Sequence, residues 1–417
     1  MAIIETIYGY EVLDSRGRPT PAARVTLQDG SQATAYVPSG ASTGVHEAVE
    51  KRDGGERFWG KGVLGAVEAI NTEINQALQG QESLDQRHID QIMIDLDGTD
   101  QKSRLGANAI LAVSLAVARV SAQSEGLELY EYLYHLYREE FNPQACMRLP
   151  LLCFNVLNGG AHADSGLDIQ EFMLIPQYQT VHRNVQAGAE VYNQLKGLLT
   201  EKGYVTAVGD EGGFAPHLKD NEQALRTLRT AIAGAGYQLG QNCLLGMDAA
   251  ASEFYDPEQQ QYFFEGQEHT AEDLAKVYQS WIDKYHIDLL EDPFAEDDFP
   301  AWQNFLGTTG VAVVGDDLLV TNVSRIQKAI DEKLCNAALI KPNQIGSLSE
   351  TMQAITLAQE SGFETQMSHR SGDTEDSFIA DLAVATGCNY IKSGAPARSE
   401  RVSKYNRLME IENQLNQ

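Results

Sequence analysis

Short apolar segments alternate with helical patterns from about residue 151 to the end of the chain. Segments such as residues 289–290 and 311–314 are each followed by a polar residue, then by apolar residues at three- and four-residue spacing. This alternation predicts a mostly parallel sheet. Only residues 158–170 separate the first two segments, 151–157 and 172–175, and this is short for a crossover, so we predict an antiparallel start.

The first 140 residues show a different pattern. Residues 23–28 and 31–37 alternate around Asp29-Gly30, a pair typical of a tight hairpin. Helical periodicity follows at about residues 62–78, 103–124 and 128–138. We therefore predict a smaller α+β domain at residues 1–140 and an α/β barrel of the TIM type at residues 145–417.

Reactive side chains follow the apolar segments of the second region at regular intervals. The series is Asp248, Glu291, Asp316, Lys341, His369-Arg370 and Lys392, with intervals of 43, 25, 25, 28 and 23 residues. A barrel uses roughly 30 residues per strand–helix unit and gathers its chemistry at the C-terminal ends of its strands. The series is therefore expected to converge on one mouth.

Each member of the series suits a particular chemistry. Asp248, Glu291 and Asp316 offer oxygen ligands, which Mg²⁺ prefers, although any one alone is more often a helix cap or the partner of a lysine. Lys341 and Lys392 are charge partners or, beside a metal, bases with a pKa below the usual value of about 10.4.

Other polar segments supply further candidates. Arg370 and Ser371, next to His369, have donors suited to a phosphate. Glu211, in a glycine-rich loop, is a candidate acid for a leaving hydroxyl, provided that its environment holds the proton; an ordinary exposed turn is the alternative. His162 and Glu171 are candidate ligand contacts or structural residues. Residues 39–44, Ser-Gly-Ala-Ser-Thr-Gly, are suited to a mobile lid.

Composition narrows the function classes. The formal net charge of −28 disfavours nucleic acid, and the longest apolar stretch, residues 107–120, is interrupted by polar residues, so we predict a buried helix and no membrane insertion. The N-terminus shows no secretory signal, and we expect a cytoplasmic protein. The five cysteines are scattered without Cys-x-x-Cys spacing, and we expect all five to be core residues.

Several longer motifs resemble those of the enolase family along nearly the whole chain. They include Pro38-Ser39-Gly40-Ala41-Ser42-Thr43-Gly44, Gly209-Asp210-Glu211-Gly212-Gly213, Leu339-Ile340-Lys341-Pro342-Asn343-Gln344 and Ser368-His369-Arg370-Ser371-Gly372. The resemblance implies reversible dehydration of 2-phospho-D-glycerate to phosphoenolpyruvate. It also implies irregular first barrel strands, in the order ββαα(βα)6, and a homodimer or an octamer of dimers.

The same resemblance implies a role for each candidate. Asp248, Glu291 and Asp316 would bind one Mg²⁺ and Ser42 a second, with Lys341 as the base and Glu211 as the acid. His162, Glu171, His369, Arg370, Ser371 and Lys392 would contact the phosphorylated substrate. Two alternatives remain: a dehydratase or racemase acting on an unphosphorylated acid sugar, and a binding or scaffold protein that has kept the fold.

Overall fold

The N-terminal region is a three-stranded sheet covered by helices. The computed structural model describes residues 2–40, 46–163 and 165–416. Its N-terminal elements are β1 (Ile4–Leu13), β2 (Pro19–Leu27), β3 (Gln32–Tyr36), α1 (Leu64–Ala69), α2 (Asn75–Leu78), α3 (Gln86–Asp97), α4 (Ala107–Glu125) and α5 (Leu129–Glu140). The strands are antiparallel in the order β1-β2-β3.

The predicted hairpin joins β2 and β3. Gly30 has a φ of +89°, a backbone conformation that glycine adopts without strain, and Thr26 is in register with Gln32. Pro21 lies in β2, the central strand, but pairing with β3 begins only at Ala22. The missing N–H of Pro21 is therefore tolerated near the start of the strand.

The helix α3 was not predicted from the sequence. Its buried face includes Gln86, Asp90 and Asp97 beside Ile89 and Met93, so the apolar periodicity is weak. The helix begins after Asp85, whose side chain accepts a hydrogen bond from the backbone N–H of His88. Polar contacts replace part of the apolar stripe on which helix prediction depends.

The helix α4 is the only described helix long and apolar enough to cross a membrane by length and composition. It is 83% buried across its most apolar window, and it packs against β2, β3 and α5. This burial agrees with its interpretation as a core helix.

The C-terminal region is a closed barrel of eight strands. Its elements are β4 (Leu151–Asn158), β5 (Glu171–Pro176), α6 (Val181–Glu201), α7 (Asn221–Gly234), β6 (Cys243–Asp248), β7 (Tyr255–Asp256), β8 (Gln261–Phe264), β9 (Gln267–His269), α8 (Ala271–Tyr285), β10 (Ile287–Glu291), α9 (Phe299–Leu306), β11 (Ala312–Gly315), α10 (Val323–Glu332), β12 (Ala337–Ile340), α11 (Pro342–Ile345), α12 (Leu348–Glu360), β13 (Glu364–Ser368), α13 (Phe378–Ala385), β14 (Tyr390–Lys392) and α14 (Ser399–Leu415). The barrel order is β10-β11-β12-β13-β14-β4-β5-β6, and β7, β8 and β9 form a separate small sheet.

The predicted antiparallel start of the barrel is confirmed. β5 runs against both β4 and β6, with Glu171 in register with Asn158 on one side and Asp248 on the other. The remaining pairs of neighbouring strands are parallel. The fold is therefore the predicted ββαα(βα)6 barrel with a smaller α+β domain.

An apolar layer fills the barrel interior. It consists of Cys153, Met173, Ile175, Leu289, Val314, Ala337, Leu339 and Tyr390. Four of the five cysteines are buried as expected, whereas Cys146 is exposed, so the prediction for that cysteine was wrong. Cys146 lies in the connection that leads into the barrel, outside regular secondary structure.

Candidate active site

The structure brings the predicted reactive residues together at the barrel mouth. Asp248, Glu291 and Lys392 are the last residues of β6, β10 and β14, and Asp316, Lys341 and His369 directly follow β11, β12 and β13. Glu171 is the first residue of β5, which places it at the same end because that strand is reversed. His162, Glu171, Glu211, Asp248, Asp316, Lys341, His369, Arg370, Ser371 and Lys392 line one cavity.

Lys392 is the centre of a buried acidic group. Its Nζ lies 2.8 Å from both carboxylate oxygens of Glu291, and 3.3 Å from Glu171 and from Asp248. Burial lowers the pKa of Lys392, but the surrounding acids outweigh it and raise that pKa well above its usual value. Burial, then repulsion from Asp248, raises the pKa of Glu291 well above its usual value.

Lys341 pairs with Asp316. Its Nζ donates to Asp316 Oδ2, while Gln344 Nε2 donates to Asp316 Oδ1 at 2.9 Å. Burial lowers the pKa of Lys341, but Asp316 outweighs it, so the pKa is raised. We expected a lowered pKa beside a metal. The difference arises because, among the protein groups alone, Asp316 stabilises the ammonium form.

Glu171 and Glu211 form a second buried pair beside His162. The His162 Nδ1 lies 3.7 Å from Glu171 Oε1 and 3.7 Å from Glu211 Oε2, and Asn155 Nδ2 donates to Glu211 Oε2 at 2.9 Å. Burial raises the pKa of both carboxyls. Repulsion from Glu211 adds to the rise at Glu171, whereas His162, the hydrogen-bonding capacity of His369 and the charge of Arg401 together bring the pKa of Glu211 well below its usual value.

The pKa values of the two carboxyls are therefore shifted in opposite directions, upward at Glu171 and downward at Glu211. We expected the environment of Glu211 to hold the proton on that residue itself. The structure differs because the donors around Glu211 favour its carboxylate form. At Glu171, burial and the nearby Glu211 oppose ionisation.

The arginine end of the cavity lies beside the N-terminal domain. Arg370 is buried, and its Nη1 and Nη2 donate to Glu47 at 3.0 and 3.2 Å. Nη1 also donates to Asn343 Oδ1 at 3.0 Å. Ser371 is buried next to it and lines the same cavity. Ser42 lies outside the described residues.

The donor set fits a divalent cation. The cavity holds about 530 Å³ of empty space, part of it open to solvent. Of the described residues that line it, eight are acidic and three are lysine or arginine. Carboxylate oxygens from Asp292, Asp316 and Asp317 lie within 4.8 Å of one another, and burial with repulsion from Asp316 raises the pKa of Asp317 to about 8. Bound positive charge would relieve this repulsion.

The three predicted metal ligands, Asp248, Glu291 and Asp316, are however paired with two different lysines. Lys392 contacts Asp248 and Glu291, while Asp316 contacts Lys341. Both lysines would have to share these carboxylates with a bound cation.

Several site residues were missed by the sequence analysis. They are Glu47, Asn155, Gln344 and Arg401, each of which hydrogen-bonds a predicted residue. Gln344 and Arg401 lie close in sequence to predicted residues. Such proximity could have drawn attention to Gln344, three residues after Lys341. Asn155 gives no comparable signal, because its contact with Glu211 joins segments 56 residues apart.

Comparisons with known proteins agree with the fold. Residues 4–133 match the family model described as enolase, N-terminal domain, and residues 146–417 match the model described as enolase, C-terminal TIM barrel domain. A curated relative named enolase, from Corynebacterium kroppenstedtii, is 52% identical over 415 residues, covering 99% of this chain and 95% of the relative. The chain is therefore an enzyme of the enolase family.

Proposed function

We propose that the protein catalyses the reversible, Mg²⁺-dependent dehydration of 2-phospho-D-glycerate to phosphoenolpyruvate and water. The main support is that the proposed base, Lys341, and the Glu171–Glu211 pair, which contains the proposed acid, lie on opposite sides of the barrel mouth. Lys341 follows β12 and Glu171 begins β5, and these strands are four positions apart in either direction around the eight-stranded barrel. A substrate between them would meet a lysine on one side and the Glu171–Glu211 pair on the other.

The metal would be held by carboxylates. We propose Asp248, Glu291 and Asp316 as ligands of one Mg²⁺ and Ser42 as a ligand of a second. When bound, the cation would supply positive charge that neutralises the substrate carboxylate, acidifies the adjacent C–H and lowers the pKa of a nearby lysine. Oxygen-only ligands favour Mg²⁺ over softer metals.

Lys341 would remove the proton from the carbon next to the substrate carboxylate. Its backbone N–H donates to Thr321 Oγ1 at 2.9 Å, and Thr321 Oγ1 in turn donates to Gln344 at 2.8 Å. These contacts hold the strand end from which the lysine side chain extends. Lys392 would offer its ammonium group to the substrate carboxylate.

Glu211 would protonate the departing hydroxyl. The raised pKa of Glu171 supports a pair that would hold one proton, which Glu211 would pass to the departing hydroxyl and recover from Glu171. Asn155 on β4 donates to Glu211 and orients it, while His162 in the β4–β5 connection lies 3.7 Å from both carboxyls.

Arg370 and Ser371 would bind the phosphate, with His369 beside them. The guanidinium of Arg370 is held by Glu47 and Asn343, which fixes its orientation in the cavity wall. This end favours a phosphorylated substrate over an unphosphorylated acid sugar. We further propose the domain limits 1–140 and 145–417, a cytoplasmic location, and a homodimer or octamer of dimers with no nucleic-acid partner.

The test is turnover of 2-phospho-D-glycerate with Mg²⁺, measured as the absorbance of the enol product. We expect activity that EDTA abolishes and added Mg²⁺ restores; replacing Mg²⁺ by Mn²⁺ would report the metal preference. The absence of turnover, together with activity on an unphosphorylated acid sugar, would favour the related dehydratases or racemases. Inactivity on both substrates would favour a scaffold.

A further inference from the structure

Arg401 lies behind the arginine end of the cavity and contacts residues that line it without lining it itself. It is in the first turn of α14 and is fully buried. Its Nη2 donates to the backbone oxygens of Ser371 at 2.7 Å and of Asp210 at 3.0 Å, while Nη1 donates to the backbone oxygen of Arg370 at 2.6 Å. Arg401 thus links two loops that carry proposed site residues.

One further contact of Arg401 has a chemical consequence. Nη1 lies 2.7 Å from Nδ1 of His369. A guanidinium has five N–H donors and no acceptor, and it keeps its proton in proteins. The imidazole nitrogen must therefore be the acceptor in this pair. Nδ1 of His369 carries no proton, and the single proton of the neutral ring is on Nε2.

The other ring nitrogen faces the proposed acid. Nε2 of His369 lies 3.4 Å from Glu211 Oε1. Nε2 has no hydrogen-bond partner among the described residues, and a contact of this length often tightens when a substrate binds. With the proton on Nε2, His369 presents a donor to Glu211, as Asn155 does at the other carboxylate oxygen.

The surroundings also disfavour a charged His369 ring. A proton on Nδ1 would point at the N–H of Arg401, so two donors would oppose each other. Burial lowers the pKa of His369 to about 4, although the acids Glu211 and Asp373 oppose this shift. The ring therefore stays neutral near pH 7, with one possible position for its proton.

We propose that Arg401 is a positioning residue that fixes the tautomer of His369, so that the ring donates from Nε2 to the carboxyl of Glu211. The role of this carboxyl as the acid rests on the proposed function. The arrangement fixes the donor groups that face Glu211 and leaves the departing substrate hydroxyl to take its proton from the Glu171–Glu211 pair.

The first experiment uses the unmodified protein. Long-range ¹H–¹⁵N NMR of the histidine-labelled chain distinguishes the two tautomers and the charged ring, and a His369→Gln variant identifies the signals of His369 among the nine histidines. We expect the Nε2–H form across the neutral pH range. With arginine also labelled, a coupling across the hydrogen bond from Arg401 to Nδ1 is expected. A proton on Nδ1, a charged ring at pH 7 or no such coupling would overturn the proposal.

Variants separate the tautomer from general support of the loops. Arg401→Met removes the donor, and we expect His369 to populate both tautomers and kcat to fall roughly ten- to a hundredfold. Arg401→Lys keeps a donor and is expected to restore the Nε2–H form. Lys404→Met is the matched control, since Lys404 is also buried on α14 but donates to Asp373, Thr374 and Glu400 instead of His369.

The outcomes distinguish this proposal from the proposed function. An unchanged tautomer in Arg401→Met, or the same tautomer mixture in Lys404→Met, contradicts the role of Arg401. If Arg401→Met does not fold, the coupling in the unmodified protein decides the matter. The NMR measurements need no substrate, so a protein that lacks turnover on 2-phospho-D-glycerate but shows the expected coupling would contradict only the proposed reaction.

Discussion

Two regions of the molecule bury many charges, and they bury them differently. At the barrel mouth acids outnumber cations, and the pKa values of Glu171 and Glu291 are raised well above the usual range. At the domain seam, which we define as Asp90, Lys102, Arg119, Glu350 and Asp376, both cations have a carboxylate partner, whereas Asp90 is held by hydrogen bonds from Ser349. Arg119 donates to both oxygens of Asp376 at 2.6 Å, and Lys102 donates to Glu350 at 2.9 Å.

The difference separates charges that hold domains together from charges arranged for chemistry. A matched buried pair stabilises one arrangement of the chain, and removing one partner leaves the other unpaired. A group of like charges is costly to the folded protein and becomes useful when a ligand supplies the missing charge. Substitutions at the barrel mouth should therefore change turnover, and substitutions at the seam should change the free energy of unfolding.

The largest effect is expected at Lys341. In Lys341→Ala we expect turnover to fall about 10³-fold or more, because the proposed base is lost. Folding should be largely kept, since Gln344 still donates to Asp316. Steady-state kinetics and circular dichroism measure the two properties. Lys102→Ala at the seam is the matched control and should keep its turnover. Near-normal activity of Lys341→Ala would contradict the base assignment.

A smaller effect, on stability, is expected at Arg119. Arg119→Met should lower the free energy of unfolding by about 3–5 kcal/mol, because it leaves the buried carboxylate of Asp376 without its cation. Denaturant unfolding followed by tryptophan fluorescence measures the loss, and turnover of the folded fraction should be unchanged. The double variant Arg119→Met/Asp376→Asn should recover part of the stability. A double variant no more stable than Arg119→Met would show that the unpaired charge is not the cause.

The smallest effect is a pH dependence at Asp90. Burial raises the pKa of Asp90 to about 6 from 3.8, so between these values the folded protein binds more protons than the unfolded chain. Stability from this group is therefore lost as pH rises. Between about pH 5.2 and pH 7.5, Asp90→Asn should gain about 1 kcal/mol relative to the unmodified protein.

The control for Asp90 lies at the end of the same helix. Burial raises the pKa of Asp97, but hydrogen bonds from Thr99 and the backbone N–H of Leu105 outweigh it and lower the pKa. Its contribution is present at neutral pH and is lost as pH falls through the lowered pKa, so Asp97→Asn should show no gain at high pH. A stability difference between Asp90→Asn and the unmodified protein that does not vary with pH would contradict the raised pKa of Asp90.

The mouth was more predictable from the sequence than the seam. Asp248, Glu291, Asp316, Lys341 and Lys392 each end or follow an apolar strand, and the barrel geometry brings such positions together whatever the details of packing. The seam depends on contacts between distant segments, such as Asp90 with Ser349, for which no local pattern exists. The helix α3 was missed for a similar reason, because polar residues on its buried face weaken the apolar periodicity by which a helix is predicted.

The protonation of the site was the least predictable property. The sequence suggested Glu211 as the acid and a lowered pKa for Lys341, but the pKa of each depends on which charges lie a few ångströms away. The pKa of Glu171 is raised by burial and by Glu211, the pKa of Glu211 is lowered by its neighbours, and Asp316 raises the pKa of Lys341. Residues 41–45, which include Ser42, lie outside the described part of the chain, so the proposed role of Ser42 stays a prediction.

The reversal of β5 has a consequence for how the site can diverge. Both ends of the β4–β5 connection lie at the mouth, and this single hairpin carries His162 and ends at Glu171. In the parallel units each mouth connection leads into a helix instead of returning to a second barrel strand at the mouth, so an insertion before the helix does not shift a site residue on a second strand. Insertions between β4 and β5 would displace His162 relative to Glu171, and we therefore expect length variation among related proteins to be smaller in this connection.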